Sequence, residues 1–273
     1  MIKFRAVALC MSATLLLAAP CRAGDVAGKD DAESHWDGYV SLGAGLLPDY
    51  DGSKYYEILP YVEGRLNYDN YYVRFEGAAL RFNIVDDENF HAGPLMGFRR
   101  GRGATDSIAV SHLAQLDDTE TAGGFIEWEH VADDPRSGES VTLTADDAMT
   151  DAPSGLAVVL RATIRRPVLD IDPGLIVSLE GDASWSSRQF MQTYFGVTPS
   201  EAAASGLPAF TARDGFSQVG VALSLDQFVS RHWGFGVRMH YGRYFDAAAD
   251  SPVVSIAGSP DQYFLGVVVG YVL

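Results

Sequence analysis

The sequence predicts an all-β protein, a transmembrane antiparallel up-and-down β-barrel of about twelve strands, with about ten as the alternative count. Three observations indicate this fold. From Trp36 onward, apolar residues alternate with Gly, Ser or charged residues, as on strands whose successive side chains face opposite sides. Aromatic residues stand at the ends of the apolar faces, where membrane barrels place their interfacial rings. The chain also begins with a leader typical of exported proteins.

The leader, residues 1–23, has a positively charged start, an apolar run and small residues around a cleavage site. The predicted Sec-type cut follows Ala23. A lipoprotein leader cut before Cys21 is one alternative, which Pro20 disfavours. A membrane anchor is another, but the apolar run is shorter than the roughly 20 residues that a spanning helix needs.

Behind the leader we expect a flexible N-terminal arm at 24–35 and the outer-membrane β-barrel at 36–273. Both cysteines, Cys10 and Cys21, fall in the leader, which excludes disulfides and thiol catalysis in the exported chain. The chain has 36 acidic and 20 basic residues and a formal net charge of −16. So acidic a protein lacks the positive surface that binds nucleic acid.

Taken in order, eleven stretches alternate: 36–46, 58–66, 71–76, 90–99, 124–129, 141–145, 156–165, 175–185, 218–226, 233–241 and 263–273. The stretch 141–145 is predicted as short and weak. The others are expected to be about 9–12 residues long, the length with which a tilted strand crosses a bilayer. Bacterial single-chain barrels have an even number of strands, so we expect one stretch to divide, giving twelve. Pro60 cannot donate to a neighbouring strand and predicts a strand end or a bulge.

The alternation assigns faces and ends. The predicted interfacial aromatics are Trp185, Trp233, Tyr241, Tyr263 and Tyr271. The predicted lumen-facing charged residues are Arg161, Arg165, Glu180, Asp182, Arg238 and His240. Short connections at 227–230 and 170–174 predict periplasmic turns, and long ones at 101–121, 188–215 and 246–261 predict outer loops. Trp233 is therefore expected at the periplasmic end.

The long segment 188–215 contains the signals of one short helix. Thr198 followed by Glu201 forms a capping box, Pro199 fits the first helical position, and Gly206 ends the helix. This outer loop is thus predicted to be ordered.

The same segment carries a resemblance to a known family. The residues that carry it are Met191, Gln192, Thr193, Tyr194, Phe195, Gly196, Val197, Ser205, Gly206, Leu207 and Pro208. They are similar to the signature of the MipA/OmpV family of outer-membrane proteins, the MltA-interacting protein family, as are the stretches 43–53 and 248–254. The resemblance implies an outer-membrane β-barrel that organises murein (peptidoglycan) synthesis and hydrolysis as a scaffold. Its implied partners are a lytic transglycosylase, a murein synthase, and the lipid and lipopolysaccharide of the outer membrane. It brings no catalytic residues.

We therefore expect a non-enzymatic scaffold without cofactor or metal. A small-solute channel favouring cations is the main alternative, since the predicted interior is acidic and lined by Gly. A hydrolase within the barrel, with His240 beside an inward carboxylate, is the weaker one, because ion pairing accounts for the same residues. Four acidic pairs are interpreted as solvated turns, since none has the spacing of a Ca²⁺ loop: Asp86-Asp87, Asp117-Asp118, Asp133-Asp134 and Asp146-Asp147.

Overall fold

The computed structural model describes residues 36–103, 105–149, 155–168, 172 and 174–273. They form a closed barrel of twelve antiparallel strands in which each strand pairs with the next and β1 pairs with β12. The predicted fold is therefore confirmed, with twelve strands and not ten. The predicted signal peptide and N-terminal arm lie outside the described residues. Within the described ranges, no helix is both long and apolar enough to cross a membrane.

The strands are β1 (Trp36–Pro48), β2 (Tyr56–Tyr68), β3 (Tyr71–Glu76), β4 (Ala79–Asn83), β5 (Phe90–Arg99), β6 (Thr119–Val131), β7 (Gly138–Ala148), β8 (Ala157–Pro167), β9 (Leu175–Ser186), β10 (Gly215–Phe228), β11 (Trp233–Tyr244) and β12 (Asp261–Val272). The helices are α1 (Arg188–Phe195), α2 (Pro199–Ser205), α3 (Asp246–Asp250) and α4 (Pro252–Ser255), with a 3₁₀ helix at Val110–His112.

The outer surface of the barrel is apolar. Leu42, Leu179 and Val267 are each 57–58% exposed, although they sit in the middle of their strands. A soluble barrel would bury such residues, whereas a membrane barrel turns them to lipid. The opposite face carries the small and charged residues, so the lipid-exposed belt follows from the alternation in the sequence.

Aromatic rings bound this belt at both ends. At the end of the barrel with the short connections, here the turn end, Trp233 packs on Tyr271 with ring centroids 5.0 Å apart. At the opposite end, here the loop end, Tyr241 packs on Tyr263 at 5.3 Å. Trp185 lies next to the last residue of β9, also at the loop end. The five aromatics thus occupy strand ends, where an amphipathic ring meets the interface of a bilayer.

The strand predictions need three corrections. The twelfth strand does not come from dividing a stretch; it is β4, in a segment where no strand was predicted. β3 and β4 have only 6 and 5 residues, shorter than the expected crossing length, because a hairpin turn at Gly77–Ala78 ends them early. In contrast, β7 has 11 residues, which makes the prediction of a short, weak strand at 141–145 wrong.

The prediction of a strand end or bulge at Pro60 is also wrong. Pro60 lies inside β2, opposite Ala44 in an unbroken register with β1. The N–H of Gly77 donates to the carbonyl of Val62 at 2.9 Å. The backbone N–H and C=O of Val62 therefore point away from β1. Pro60, two residues away, directs its backbone the same way. β3 pairs only with residues 63–68 of β2, so the missing N–H of Pro60 costs no hydrogen bond between strands.

Candidate functional site

The connections at the loop end fold together into a compact layer that we call the cap. It is formed by residues 49–55, 100–118, 187–214 and 245–260, apart from residue 104, which is not described. Helix α1 begins at Ser187, whose hydroxyl accepts from the N–H of Phe190. Its buried residues recur on one face of the helix and are Phe190, Met191, Tyr194 and Phe195.

Helix α2 has the predicted capping box. The Thr198 hydroxyl accepts from the N–H of Glu201, the Glu201 side chain accepts from the N–H of Thr198, and Gly206 ends the helix with a left-handed φ of 76°. Glu201 also accepts from the N–H of Ala114 at 2.8 Å, which ties α2 to the loop 100–118. Partial burial acts to raise the pKa of Glu201, but these N–H donors outweigh it and hold the pKa below its usual range.

The residues of the predicted signature are mostly structural. Met191 and Phe195 are 1% exposed, and Val197 and Leu207 are 2% and 4% exposed. They lie in two apolar clusters: one adds Phe190, Tyr194, Ala212, Tyr244, Ala248 and Val254, and the other adds Tyr50, Val110, Leu113, Val253 and Ala257. The signature therefore forms much of the core of the cap.

Polar groups of the signature residues form hydrogen bonds to segments that pack around the same core. The side-chain oxygen of Gln192 accepts from the N–H of Ala212 at 3.0 Å, and the carbonyl of Tyr194 accepts from Arg102 at 2.9 Å. Thr193 lies within α1, Gly196 is its C-cap and Ser205 ends α2. Pro208 follows the buried Leu207 and is exposed.

The three stretches that resemble the family meet in the cap. Gly52 has a φ of +91°, and a Cβ there would lie 2.6 Å from Cγ2 of Val254 and 3.8 Å from the ring of Phe195. The Ser251 hydroxyl donates to the carbonyl of Phe195 at 2.6 Å. Only glycine fits at Gly52, where loops far apart in the chain converge.

Below the cap, charged side chains reach across the barrel interior. Arg238 on β11 pairs with Glu63 on β2 at 2.5 Å and with Asp226 at 2.7 Å. Arg161 on β8 pairs with Glu76 on β3 at 3.4 Å and with Glu180 at 2.9 Å. Because β3 and β8 are separated by four strands in the wall, the pair of Arg161 and Glu76 crosses the lumen. We call these residues the ion-pair layer.

The other predicted lumen residues are also placed by the structure. His240 Nε2 lies 2.8 Å from an Asp182 carboxylate oxygen. Arg165 donates to the carbonyl of Pro135 at 3.2 Å, near the turn end. Asp182 lies opposite Arg161 in the register of β8 and β9, so the pair of His240 and Asp182 adjoins the ion-pair layer, whereas Arg165 lies nearer the turn end.

The list of lumen-facing residues predicted from the sequence left out most of the interior charges. Glu76 accepts from Arg81 at 3.3 Å and lies 3.5 Å from Arg74. A second network joins Glu127, Glu129, Arg65, Tyr72 and His91 through β2, β3, β5 and β6. Most of these residues alternate with apolar residues in the sequence, and the same alternation that identified Arg238 would have identified them.

The ion-pair layer divides the interior into two chambers. The chamber at the turn end has a volume of about 710 Å³ and reaches from Pro135 and Phe228 at the turns to Glu76 and Arg238. The chamber at the loop end has a volume of about 290 Å³. Glu76 lines both, so its ion pairs with the arginines form the partition.

This arrangement does not resemble a hydrolytic site. A Ser-His-acid site needs a hydroxyl beside the histidine, and among the described residues His240 bonds to Asp182 but to no Ser or Thr hydroxyl. In the same part of the chain, no group of three or more His, Cys, Asp or Glu side chains is placed to hold a metal ion. The acidic pairs lie apart from one another in loops and strand ends.

Three solved structures show a weak likeness to the chain. Outer-membrane expressed OmpT of Vibrio cholerae is 10% identical over 87% of this chain and 97% of its own, with a TM-score of 0.37. An anion-selective porin from Comamonas acidovorans is 9% identical over 87% and 98%, with a TM-score of 0.38. The outer membrane protein OprD from Pseudomonas aeruginosa is 11% identical over 86% and 65%, with a TM-score of 0.33.

Sequence comparison is more specific. No curated protein matches the chain. The family model described as MltA-interacting protein MipA matches residues 40–273, which includes all three stretches of the cap that carried the resemblance and nearly the whole barrel. The chain is an outer-membrane β-barrel that belongs to the MipA family.

Proposed function

We propose that the protein is a non-enzymatic scaffold of the outer membrane, which binds a murein-degrading lytic transglycosylase and links it to a murein synthase. The description of its family as MltA-interacting supports the first partner. The observation that carries the proposal is the set of ion pairs that cross the lumen, from Arg161 to Glu76 and from Arg238 to Glu63. Together with the packed cap at the loop end, they favour a platform over a wide pore.

In this proposal the turn end faces the periplasm, because outer-membrane barrels have short periplasmic turns and long external loops. The turn end then presents its surface to the space in which murein enzymes work. A partner that docks here would cover a chamber lined by charged side chains, among them Arg165 and Glu139.

The test is binding of a purified lytic transglycosylase to the barrel in lipid nanodiscs, measured by biolayer interferometry. We expect saturable binding that is lost when the connection 132–137 is replaced by a Gly-Ser linker of equal length. Replacing residues 105–112 of the cap with a similar linker serves as the control and should leave binding unchanged. Absence of binding to the unaltered barrel would refute the scaffold.

A cation-favouring channel is the second candidate, and one observation favours it. The turn-end chamber is lined by seven carboxylates and five arginines, an excess that attracts cations. Planar-bilayer recordings distinguish the two functions. A closed barrel should give no stable conductance steps, whereas cation-selective steps would show that the barrel conducts.

A further inference from the structure

Two exposed arginines stand on the rim of the barrel at the loop end, above β9 and β10. Arg188 is the first residue of α1, and Arg213 lies two residues before the start of β10. Both side chains are exposed. We call these two residues the rim pair.

The segments that carry the rim pair are held together on both sides of it. Below, Ser186 of β9 is paired with Gly215 of β10. Above, the side-chain oxygen of Gln192 in α1 accepts from the N–H of Ala212 at 3.0 Å. The two arginines therefore lie on neighbouring segments, and their long side chains can reach one ligand.

Aromatic rings lie directly beneath the rim pair. Trp185 is paired with Phe216, which is 63% exposed. The hydroxyls of Ser186 and Ser217 are buried inside the barrel, 3.1 Å apart, so the side chains next to them along each strand face outward to lipid. Each arginine follows or precedes its aromatic neighbour by three residues, a distance of at most about 10 Å. The rim pair thus stands at the depth of the lipid headgroups, just outside the girdle.

The rim pair has no carboxylate partner. Within the described residues, neither Arg188 nor Arg213 forms an ion pair or a side-chain hydrogen bond. In contrast, Arg243 on the rim above β11 is also exposed, but it is paired with Asp261 at 2.6 Å. Asp214 lies beside Arg213 and is exposed, and the three side chains together still carry a net positive charge.

The start of α1 adds to this positive charge. Arg188 stands in the first turn of the helix, which contains no acidic residue. The N-terminus of a helix carries a partial positive charge, so a cation there destabilises the helix and a bound anion stabilises it. This concentration of positive charge occurs in a chain whose formal net charge is −16, and a bound anion would compensate it.

We propose that the rim pair binds the phosphate of an anionic lipid of the outer leaflet, whose acyl chains lie against Trp185 and Phe216. Guanidinium groups form charge-assisted hydrogen bonds to phosphate oxygens, and the exposed rings below supply the apolar contact that a soluble phosphate would not use. The assignment to the outer leaflet depends on the orientation in which the loop end faces outward. It is otherwise independent of the scaffold function and would stand if no murein enzyme bound.

The test is native mass spectrometry of the barrel in detergent micelles, titrated with lipid A that carries both of its phosphates. Replacing both arginines, Arg188→Ala with Arg213→Ala, should weaken binding about tenfold or more, because the charge-assisted contacts are lost. Arg243→Ala removes an exposed arginine of the same rim and is the matched control, which should leave binding unchanged. Arg188→Lys with Arg213→Lys keeps the charges and should recover part of the affinity.

Two further ligands identify what the rim pair recognises. Lipid A without phosphates should bind weakly, and equally to the unaltered barrel and to the double alanine variant. Inorganic phosphate in excess should not displace the intact lipid. Folding of each variant is verified by heat-modifiable migration on a gel. Equal binding of the lipid with and without phosphates, equal losses in the double alanine variant and in Arg243→Ala, or complete displacement by inorganic phosphate would each overturn the proposal.

Discussion

Two walls of the barrel are built differently. In the continuous wall, β9 to β12, neighbouring strands pair over 11 or 12 residues. In the interrupted wall, β2 to β5, the successive pairings cover only 6, 5 and 3 residues. In the interrupted wall, side chains form hydrogen bonds of the kind that the backbone forms in the continuous wall. The Asn83 amide donates to the carbonyl of Asn70 at 2.7 Å, and its oxygen accepts from the N–H of Ala92 at 3.0 Å. The comparison shows that buried polar side chains can replace the hydrogen bonds between strands.

The largest effect should come from the polar network of the interrupted wall. Glu127 has a side chain that is 1% exposed; it accepts from the Tyr72 hydroxyl at 2.7 Å and lies 3.8 Å from Arg81. Glu127→Ala leaves the buried Tyr72 hydroxyl without its acceptor and leaves Arg81 with Glu76 alone, which should cost about 3 kcal/mol. Urea unfolding of the barrel in liposomes measures this free energy.

The matched variant in the continuous wall is Asp182→Ala, which removes the partner of His240. His240 is partly exposed to the lumen, so the expected loss is only about 1 kcal/mol. Equal losses for the two variants would show that the interrupted wall does not depend on its side chains.

Substitutions to and from proline should distinguish the two walls, because they test how far each position depends on backbone hydrogen bonds between strands. Val221 on β10 is paired with Gly181 on one side and Tyr241 on the other, so Val221→Pro removes a hydrogen bond and should cost about 1–3 kcal/mol. Pro60→Val restores an N–H on the edge of β2 that has no strand beside it and should change the stability by less than about 0.5 kcal/mol. The same urea titration reports both, and a large loss in Pro60→Val would place an unseen partner on this edge.

A smaller effect is expected at the hairpin tip that ends the interrupted wall. Gly77 has a φ of +56°, and a Cβ there would meet only the ring of Tyr61, at 3.6 Å. Gly77→Ala should therefore cost about 1 kcal/mol through backbone strain alone. Gly181→Ala in the continuous wall meets no atom within 4 Å and should be neutral. A shift of the urea midpoint for Gly77→Ala but not for Gly181→Ala is the expected result.

The smallest effect is the loss of stability at acid pH in the loop 100–118, which lies above the interrupted wall. The folded pKa of Glu201 is lowered, so its stabilising contribution is present above its unfolded pKa, about 4.3, and is lost as the pH falls through the folded value. Hydrogen exchange of the Ala114 amide should increase below that pH. The Phe195 carbonyl, bound by the hydroxyl of Ser251, keeps a partner that does not titrate, so α4 should stay protected. Glu201→Gln should remove the pH dependence.

The fold could be predicted where one physical rule acts along a whole strand. Lipid on one side and a narrow lumen on the other impose alternation, and strands such as β11 and β12 carry it without interruption. β4 was missed because five residues, Ala79–Asn83, are too few for a periodic signal. Helix α1 was missed because its apolar residues were interpreted as a family signature, although Ser187 stands where an N-cap should be.

The interior could be predicted only in part. The sequence shows which face Glu63 and Arg238 occupy, but their pairing depends on the closure of the barrel and on the register of four strands. The unpaired edge of β2 is harder still to predict, because it depends on a hairpin that ends β3 and β4 early. Pro60 was a signal of an irregularity there, and only the structure shows which edge of β2 lacks a neighbour.

The convergence of loops at Gly52 has a consequence for the order of folding. The Ser259 N–H donates to the Gly52 carbonyl at 2.9 Å, and the Gln262 side chain donates to the Ser53 carbonyl at 3.1 Å. These bonds join the top of β1 to the start of β12, the first and last strands synthesised. These bonds hold the closing pair of strands together from above. We therefore expect the complete packing of the cap, with Gly52 against Val254 and Phe195, only when β1 and β12 lie side by side.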